Sequence, residues 1–252
     1  MGERKDKKSW LYGFNPVLEA IKAGRKIQSL YISKQRNWQI QRILELAEEE
    51  NIPVEFVEKS FFDTRFHKGH QGIAAVVLQK NLLSIEDLFS IVRKKEEKPF
   101  FLILDGIEDP RNFGAILRVA DAAGIQGVII QSRRSVGLTP VVSKTSAGAL
   151  EYVNLCEVVN IKHAIEKMKE YGITIIGAEA DSPLTIWDVD MNTPLCLIIG
   201  SEGRGIRKTV KERCNYIVSL PMKGTVNSLN VSVACGILAY EVIRQRITLK
   251  QK

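Results

Sequence analysis

The chain has 252 residues, of which 45% are hydrophobic and 26% charged, the proportions of an ordinary globular protein. Its 36 Lys and Arg residues outnumber its 29 Asp and Glu residues, and the net charge of +7 is compatible with a polyanionic partner. No stretch reaches 18 apolar residues and no apolar segment follows the basic N-terminus. This pattern excludes a membrane-spanning helix and a secretory signal, and it predicts a cytoplasmic protein.

The elements predicted first in the chain form a small α/β unit over residues 10–80. Apolar residues at 40, 43, 44 and 47 lie on one face of a helix, and short apolar runs on either side have the length of strands. In order, we predict a helix from Asn15 to near Gly24, a strand at 29–33, a helix at 37–50 and strands at 52–57 and 72–78.

A linker is predicted over residues 81–98, where a short amphipathic helix at 84–92 is followed by a charged run before Pro99. Residues 99–252 then alternate buried strands with helices, which favours a mainly parallel sheet covered on both faces. The predicted strands are at 100–105, 126–131, 173–178, 195–200 and 216–221, and the helices are at 112–123, 161–171, 206–213 and 228–246. Ligands of such sheets bind beyond the carboxyl ends of the strands.

Three of these strand exits carry unusual polar residues, and the first lies between residues 105 and 124. Pro110 sets a turn, Asn112 can cap the next helix, and Gly124 can end that helix in the left-handed conformation. Ile116, Leu117, Ala120 and Ala123 form a buried stripe on this helix, and Arg118 lies off that stripe. Taken alone, this segment is more simply explained by Asn112 as a helix cap and Arg118 as a solvated residue.

The second exit, at residues 198–208, places three glycines around Glu202. Glycines permit positive φ and a close approach of a ligand to the backbone. Their G-x-x-G-x-G spacing matches neither a dinucleotide-binding fingerprint nor a phosphate-binding P-loop, so a plain tight turn is the alternative. A basic cluster follows, which can contact phosphates or form a solvated helix face; its members are Arg204, Arg207, Lys208, Lys211 and Arg213.

The third exit is the segment 220-LPMKGTVNSLNVSVACG-236. Pro221 and Gly224 predict a turn after the strand, and Ser228 is a candidate cap for the final helix. A cap does not account for Asn227 and Asn230 as well, because asparagine disfavours helix interiors unless its amide has a partner.

Together the three exits resemble the motifs of the SpoU (TrmH-type) class of SPOUT RNA ribose 2′-O-methyltransferases, nearest the RlmB-type enzymes that modify a guanosine in bacterial 23S ribosomal RNA. The similarity covers nearly the whole chain, because GFNPVLEAI near the start and HQGIAAVV at 70–77 resemble the small RNA-binding domain of that family. Arg111 and Cys235 depart from the family pattern, which has His and Thr there. The motif segments are Asp109-Pro110-Arg111-Asn112 with Arg118, Gly200-Ser201-Glu202-Gly203, and Ser228-Leu229-Asn230.

The resemblance implies an α/β fold with a mainly parallel sheet and a deep C-terminal trefoil knot around S-adenosylmethionine. It implies homodimers with the knot at the interface, no metal, and apolar surface from Tyr240, Val242 and Ile243 of the final helix. The cofactor-binding residues it implies are Gly200, Leu220, Leu229, Glu202, Gly203 and Asn230. The catalytic residues it implies are Arg118, Asn112, Glu202, Ser228 and Asn230, and the RNA-binding residues are Arg118, Arg111, His70 and Gln71.

The family proposal makes Arg118 the group that takes the proton of the ribose hydroxyl. A guanidinium with a pKa above about 12 is a poor base, so a bidentate contact with the phosphate of the target is physically safer. Three alternatives remain open: the same chemistry on tRNA, a non-catalytic RNA-binding protein of ribosome assembly, and a nicotinamide-dependent oxidoreductase. The non-catalytic protein would predict the loss of Arg118, Glu202 or Asn230, and all three residues are present. The oxidoreductase would require the glycine fingerprint of dinucleotide-binding proteins and its acidic partner, and both are missing.

The four cysteines at 156, 196, 214 and 235 contain no C-x-x-C pair and have no histidine at metal-ligand spacing. We therefore expect reduced cysteines in the core and no metal site.

Overall fold

The structure is a computed structural model that describes residues 8–35, 37–66, 68–93, 97–133, 135–225 and 227–250. Its contacts divide the chain into two compact units. Unit 1 comprises the chain up to Asn81 together with Leu138–Tyr152, and unit 2 comprises Leu82–Gly137 together with the chain from Val153 onwards.

Unit 1 contains five helices and four strands among its described residues, one of the helices being a 3-10 turn at Ala149–Glu151. In chain order they are β1 (Lys8–Tyr12), α1 (Phe14–Lys22), β2 (Ile27–Ser33), α2 (Trp38–Glu49), β3 (Val54–Val57), α3 (Lys59–Arg65), β4 (Ile73–Leu78) and, after two helices of unit 2, α6 (Pro140–Thr145).

The remaining elements belong to unit 2. They are α4 (Ile85–Val92), β5 (Phe100–Asp105), α5 (Pro110–Ala122), β6 (Gly127–Gln131), β7 (Leu155–Val158), α7 (Ile161–Glu170), β8 (Thr174–Ala178), a 3-10 turn (Ile186–Asp188), β9 (Leu195–Gly200), α8 (Lys208–Lys211), β10 (Tyr216–Val218) and α9 (Val231–Lys250).

The sheet of unit 1 has the order β1-β4-β2-β3, with β4 antiparallel to both neighbours and β2 parallel to β3. Helices α1 and α2 bury their apolar stripes against one face, where Val17, Leu30 and Ile43 are fully buried. An aromatic cluster lies on the other side of the unit, where Trp10, Tyr31 and residues of α3 surround Phe62.

The segment Leu138–Tyr152 is held in unit 1 by a buried charge network. The guanidinium of Arg25 donates to Glu151 at 2.6 Å and to the carbonyl oxygen of Leu78, and the Arg25 and Glu151 side chains are only 11% and 5% exposed. The amine of Lys80 donates to the carbonyl oxygens of Leu150 and Glu151. Burial disfavours the charged amine and lowers the pKa of Lys80 to about 8.

Unit 2 is built on a six-stranded, entirely parallel sheet with the order β10-β8-β9-β5-β6-β7. Helices α4, α7 and α8 bury one set of alternate strand residues, which includes Phe101, Ile103 and Ile198. The intervening residues, such as Leu102 and Leu197, point to the opposite face and are also buried, while α5 and α9 pack together. The sequence therefore predicted the parallel sheet and its covered faces correctly.

Several details differ from the sequence-based expectations. The final helix begins at Val231 and not at Ser228, and α8 is only four residues long. Four elements were missed: β1, α3, α6 and β7. Each is short, and none shows the alternation or the helical stripe on which prediction from sequence depends.

The interval 81–98, predicted as a linker, contains α4, and α4 packs Leu88 and Phe89 into the core of unit 2. Gly127 of β6 leaves the space that Leu88 fills. Residues 94–96 of this interval lie outside the described part of the chain.

No helix within the described ranges is long and apolar enough to cross a membrane. Within the same ranges, no group of three or more His, Cys, Asp or Glu side chains is arranged to hold a metal ion.

The lowered pKa of Lys80 predicts a pH-dependent stability of unit 1. From about pH 8, where folded Lys80 loses its proton, to about pH 10.5, where the unfolded lysine does, the unfolded chain binds more protons and stability rises with pH. Below this window both states are charged and the contribution is constant. In Lys80→Met this rise should disappear. Within the window, the free energy of unfolding of wild type should therefore increase relative to that of the variant by up to about 1.4 kcal/mol per pH unit.

This prediction can be checked by urea unfolding at pH 8 to 10 under reducing conditions, with tryptophan fluorescence in a Trp187→Phe background that leaves Trp10 and Trp38 of unit 1 as reporters. A difference between wild type and Lys80→Met that stays constant over this pH range would contradict it.

Candidate functional site

Three polar side chains from the three unusual strand exits meet beyond the carboxyl ends of β5 and β9. The side-chain amides of Asn112 and Asn230 donate to the same Glu202 oxygen, Oε1, at 3.0 and 2.9 Å. Asn230 Nδ2 also lies 3.0 Å from Asn112 Oδ1. We call these residues the Asn112–Glu202–Asn230 cluster. They are separated by up to 118 positions in sequence, so only the fold brings them together.

Asn112 is available for this cluster because another residue caps its helix. The carboxylate of Asp109 accepts hydrogen bonds from the backbone N–H groups of Arg111 and Asn112, at 2.6 and 3.1 Å, and Pro110 occupies the first helical position. The expectation that Asn112 itself caps α5 is therefore wrong. Gly124 does follow the helix in the left-handed conformation, at φ 64°.

Asn230, and not Ser228, caps the final helix. Asn230 Oδ1 accepts from the backbone N–H and the hydroxyl of Ser232, at 3.0 and 2.6 Å, and its carbonyl oxygen accepts the first helical hydrogen bond from Ala234. Ser228 is exposed and lies three residues before the first helical residue, too far to cap it. Asn230 thus uses its oxygen for the cap and its amide nitrogen for Glu202.

Glu202 lies at the tip of a tight turn in which Gly205 N–H donates to the carbonyl oxygen of Ser201 at 2.9 Å. Gly205 adopts φ 64°. A Cβ at Gly200 would overlap the backbone of Gly205 and Ile206, so glycine is required where the turn folds back over β9. Glu179 fixes the far side of the turn by accepting from the Ile206 N–H at 2.6 Å.

Sequence reasoning missed a second network that anchors this turn. Asp105, at the end of β5, is fully buried and accepts from the backbone N–H and the guanidinium of Arg207, at 2.9 and 2.7 Å. Arg207 also donates to Gln131 at the end of β6, at 2.9 Å. Arg207 had been assigned only to a basic cluster. The available signal was an aspartate that ends an otherwise apolar strand.

An open cavity of about 670 Å³ lies in front of these residues. Its walls come from the loop after β5, the start of α5, the Ser201–Gly205 turn and the start of α9. Side chains of both signs line it, and they include Asp105, Asp109, Asn112, Glu202, Arg204 and Arg207.

The arginines assigned to RNA are both exposed on α5. Arg111 and Arg118 are seven residues apart, close to two helical turns, and therefore project from the same side of the helix. Neither side chain has a hydrogen-bond or ion-pair partner among the residues that the structure describes. Two unpaired guanidinium groups on one helix face are suited to bind phosphates.

The positions assigned to the cofactor lie at the second and third strand exits. Gly200 is buried at the end of β9, Gly203 adopts φ 80° in open space, Leu220 is half-buried after β10, and Leu229 is 39% exposed. The backbone N–H and C=O groups of Leu220 and Leu229 make no hydrogen bond to another described backbone group. Unpaired backbone donors and acceptors are what a ligand with a heterocyclic edge requires.

His70 and Gln71, assigned to RNA contacts, lie in unit 1 and have structural partners. His70 Nδ1 accepts from the Gly72 N–H at 3.0 Å, which places the ring proton on Nε2, 3.0 Å from Asp63. Gln71 Oε1 accepts from the Phe14 N–H at 3.0 Å and so satisfies the start of α1. Both residues therefore shape the turn at 70–72.

Comparison with known proteins identifies two family matches that span most of the chain. Residues 99–240 match the profile of the SpoU rRNA methylase family, and residues 10–83 match the profile described as RNA 2′-O ribose methyltransferase substrate binding.

Individual proteins agree with these matches. The YacO protein of Bacillus subtilis (strain 168), named for the TrmH family of tRNA/rRNA methyltransferases, is 42% identical over 94% of this chain and 96% of its own length. The crystal structure of the SpoU methyltransferase AviRb from Streptomyces viridochromogenes with AdoMet has a TM-score of 0.81 at 22% identity, covering 98% of this chain and 95% of that one. A TrmH/SpoU tRNA modifying enzyme of A. aeolicus has a TM-score of 0.56 at 26% identity, over 66% of this chain and 86% of its own.

The turn over β9 predicts a sharp contrast between two glycine substitutions in unit 2. In Gly200→Ala the new methyl group must displace backbone atoms, so the free energy of unfolding should fall by about 3 kcal/mol or more. Gly224→Ala is the matched control, because nothing lies within 4 Å of the added Cβ there. Thermal melting of both variants checks the prediction, and equal melting temperatures would contradict the packing at Gly200.

Proposed function

Because the chain belongs to the SpoU rRNA methylase family, we propose that it transfers a methyl group from S-adenosylmethionine to a ribose 2′-hydroxyl of RNA, namely that of a guanosine in 23S ribosomal RNA. The observation that carries the proposal is the Asn112–Glu202–Asn230 cluster, in which one residue from each of three sequence motifs meets at the ligand-binding edge of a parallel sheet. A structural turn alone would not require both asparagines to share one carboxylate oxygen.

The residues around the Ser201–Gly205 turn fit S-adenosylmethionine. The free backbone groups of Leu220 and Leu229 can pair with the edge of an adenine, and the absence of a side chain at Gly203, where nothing lies within 4 Å, leaves its backbone accessible. Gly200 is buried against the turn and acts by letting the turn fold back over β9. The Glu202 carboxylate suits a ligand that carries a positive charge. When bound, this group supplies an electrophilic methyl carbon.

The chain's own residues would act mainly by positioning. Glu202 holds the amides of Asn112 and Asn230 at 3.0 and 2.9 Å, so both side chains keep one orientation, and Asn112 and Glu202 line the cavity. Holding the reactants in the right orientation lowers the activation barrier, by about 7 to 11 kcal/mol in favourable cases. Ser228 lies two residues before Asn230 and is exposed, so its hydroxyl is available to contact the substrate.

We assign Arg118 to the phosphate of the target nucleotide, with Arg111 as its neighbour on the same helix face. An arginine guanidinium stays charged throughout the accessible pH range, so it binds phosphate well and accepts a proton poorly. This role requires no metal.

Ribosomal RNA is favoured over tRNA as the substrate by the domain organisation. The profile that matches residues 99–240 is that of an rRNA methylase family, and residues 10–83 match a separate substrate-binding domain. The tRNA modifying enzyme of A. aeolicus corresponds to only 66% of this chain. We propose residues 10–80 as the RNA-binding domain and 99–252 as the methyltransferase domain, joined through 81–98.

We further propose that the C-terminal segment is threaded as a trefoil knot. Backbone bonds tie Ser219 to the 184–186 region of the loop between β8 and β9, and α9 then returns so that Gln245 reaches Val189 and Met191 of that same loop. Such interleaving is compatible with threading, which the chain path in an experimental density map of residues 180–250 would test.

A homodimer is proposed on the basis of an apolar stripe on α9. Val233, Ile237, Tyr240 and Ile247 are 43–54% exposed and follow helical spacing along one side. Val242, expected from sequence to contribute to this surface, is fully buried within unit 2 instead, and Ile243 is half-buried. Solvent-exposed apolar stripes of this kind mark sites of association.

The dimer proposal predicts that Val233→Glu, which places a charge on this stripe, shifts the protein from dimer to monomer in sedimentation equilibrium. Val159→Glu is the matched control, because Val159 is 82% exposed before α7 and outside the stripe, so it should leave the mass unchanged. A wild-type protein that sediments as a monomer at all concentrations would rule the dimer out.

The catalytic proposal is tested by transfer of labelled methyl groups from S-adenosylmethionine to unmodified 23S ribosomal RNA, with the product nucleoside identified by mass spectrometry. Wild type should give 2′-O-methylguanosine, and Arg118→Ala should lower kcat/KM roughly 100-fold or more through the lost charge-assisted contact. Arg118→Lys keeps the charge without the bidentate geometry and should retain part of the activity.

Arg93→Ala, an exposed arginine at the end of α4, serves as the control and should behave as wild type. A wild type that binds the cofactor but methylates neither ribosomal RNA nor tRNA would leave the non-catalytic RNA-binding protein as the better account.

A further inference from the structure

Trp38 is the most exposed aromatic side chain among the described residues, at 72%, and it has no role in the candidate site of unit 2. It occupies the first position of α2, in unit 1. Single exposed apolar side chains are common on protein surfaces, so the case for binding depends on how this ring is held and on its neighbours.

The ring is held in a fixed orientation. Asn37 caps α2 by accepting from the Ile40 N–H at 2.9 Å, which fixes the backbone at Trp38. The indole meets the ring of Phe14 edge to face, with 5.4 Å between centroids and 68° between planes. Phe14 is itself 8% exposed and fixed by Gln71. A preorganised aromatic ring loses little conformational entropy when a flat ligand stacks on it.

The sequence around Trp38 is basic, and four of its cations form ion pairs: Lys22 with Glu19, Arg25 with Glu151, Lys34 with Glu58 and Arg42 with Glu45. Residues 20–44 contain six Lys and Arg and no Asp or Glu. Arg42 lies one helical turn after Trp38 on the same side of α2, and its exposed ion pair with Glu45 is weak. Gln39 follows Trp38 in α2 and contacts Gln71 at 3.4 Å, and Gln71 binds the N–H of Phe14, whose ring meets Trp38.

We propose that this surface, formed by Trp38, Gln39, Arg42 and Gln71, binds single-stranded RNA by stacking an unpaired base on Trp38. Stacking on an exposed aromatic ring with cations nearby is the usual mode of single-strand recognition, because every base has a flat π-face. The inference rests on the proposed function, since it states where unit 1 holds the RNA substrate. Gln71 belongs both to this surface and to the turn at 70–72, whereas the cavity of unit 2 is not part of the surface.

The test measures binding of the full-length protein to a fluorescein-labelled adenosine 12-mer by fluorescence anisotropy. Trp38→Ala should raise the Kd about tenfold, and Trp38→Phe should restore most of the affinity because it keeps an aromatic face. The matched control is Trp187→Ala, which removes a tryptophan that is 59% exposed in unit 2 and should leave the Kd unchanged. Because Trp38 is exposed, melting temperatures should stay equal to that of wild type.

Salt dependence separates stacking from charge. Trp38→Ala should leave the slope of log K against log salt unchanged, whereas Arg42→Ala should reduce it by about one because a phosphate contact is lost. Wild-type affinity in Trp38→Ala would overturn the proposal, and so would equal losses in Trp38→Ala and Trp187→Ala. The first outcome would also be expected if Trp38 served a protein partner.

Methyl transfer with the same variants distinguishes this inference from the proposed function. If wild type methylates RNA while Trp38→Ala has the same Kd for the 12-mer and the same KM for RNA as wild type, the stacking surface is rejected and the proposed function is retained. If no RNA is methylated by wild type and Trp38→Ala still loses affinity for the 12-mer, the proposed function fails and the surface stands.

Discussion

The backbone at Gly200 lies directly against the backbone of Gly205 and Ile206, and the position of Glu202 depends on this close approach. Any side chain at Gly200 would push the Ser201–Gly205 turn away from β9 and carry the Glu202 carboxylate with it. Asn112 and Asn230 would then lose their common acceptor, because both amides donate to a single oxygen of Glu202. One steric constraint at the end of a strand thus sets the geometry of residues from three distant segments.

The Arg207 guanidinium anchors the segment that follows the Ser201–Gly205 turn. It binds Asp105 at the end of β5 and Gln131 at the end of β6, and the Asp105 carboxylate is fully buried. Removing one partner of a buried pair costs about 3 to 5 kcal/mol, and the 37% exposure of the Arg207 side chain places this pair toward the lower end. The pair between Lys34 and Glu58, with both side chains more than 60% exposed, contributes about 1 kcal/mol at most.

In unit 1, one motif has a structural role next to an exposed aromatic ring. Gln71 satisfies the start of α1, and through Phe14 that helix start supports the exposed ring of Trp38. His70 closes the turn that places Gln71. His70 and Gln71, which the family resemblance assigns to RNA contacts, therefore hold the scaffold that supports the exposed ring of Trp38.

The sequence by itself determined the parallel sheet, its two covered faces, and the three exits at which polar residues gather, because the carboxyl ends of parallel strands share one edge. It also singled out Asn112, Glu202 and Asn230. Only the tertiary structure decided which side chain caps each helix, that Asp105 receives Arg207 from 102 positions away, and that residues 138–152 belong with unit 1. These outcomes depend on contacts between distant segments, and local periodicity carries no information about distant contacts.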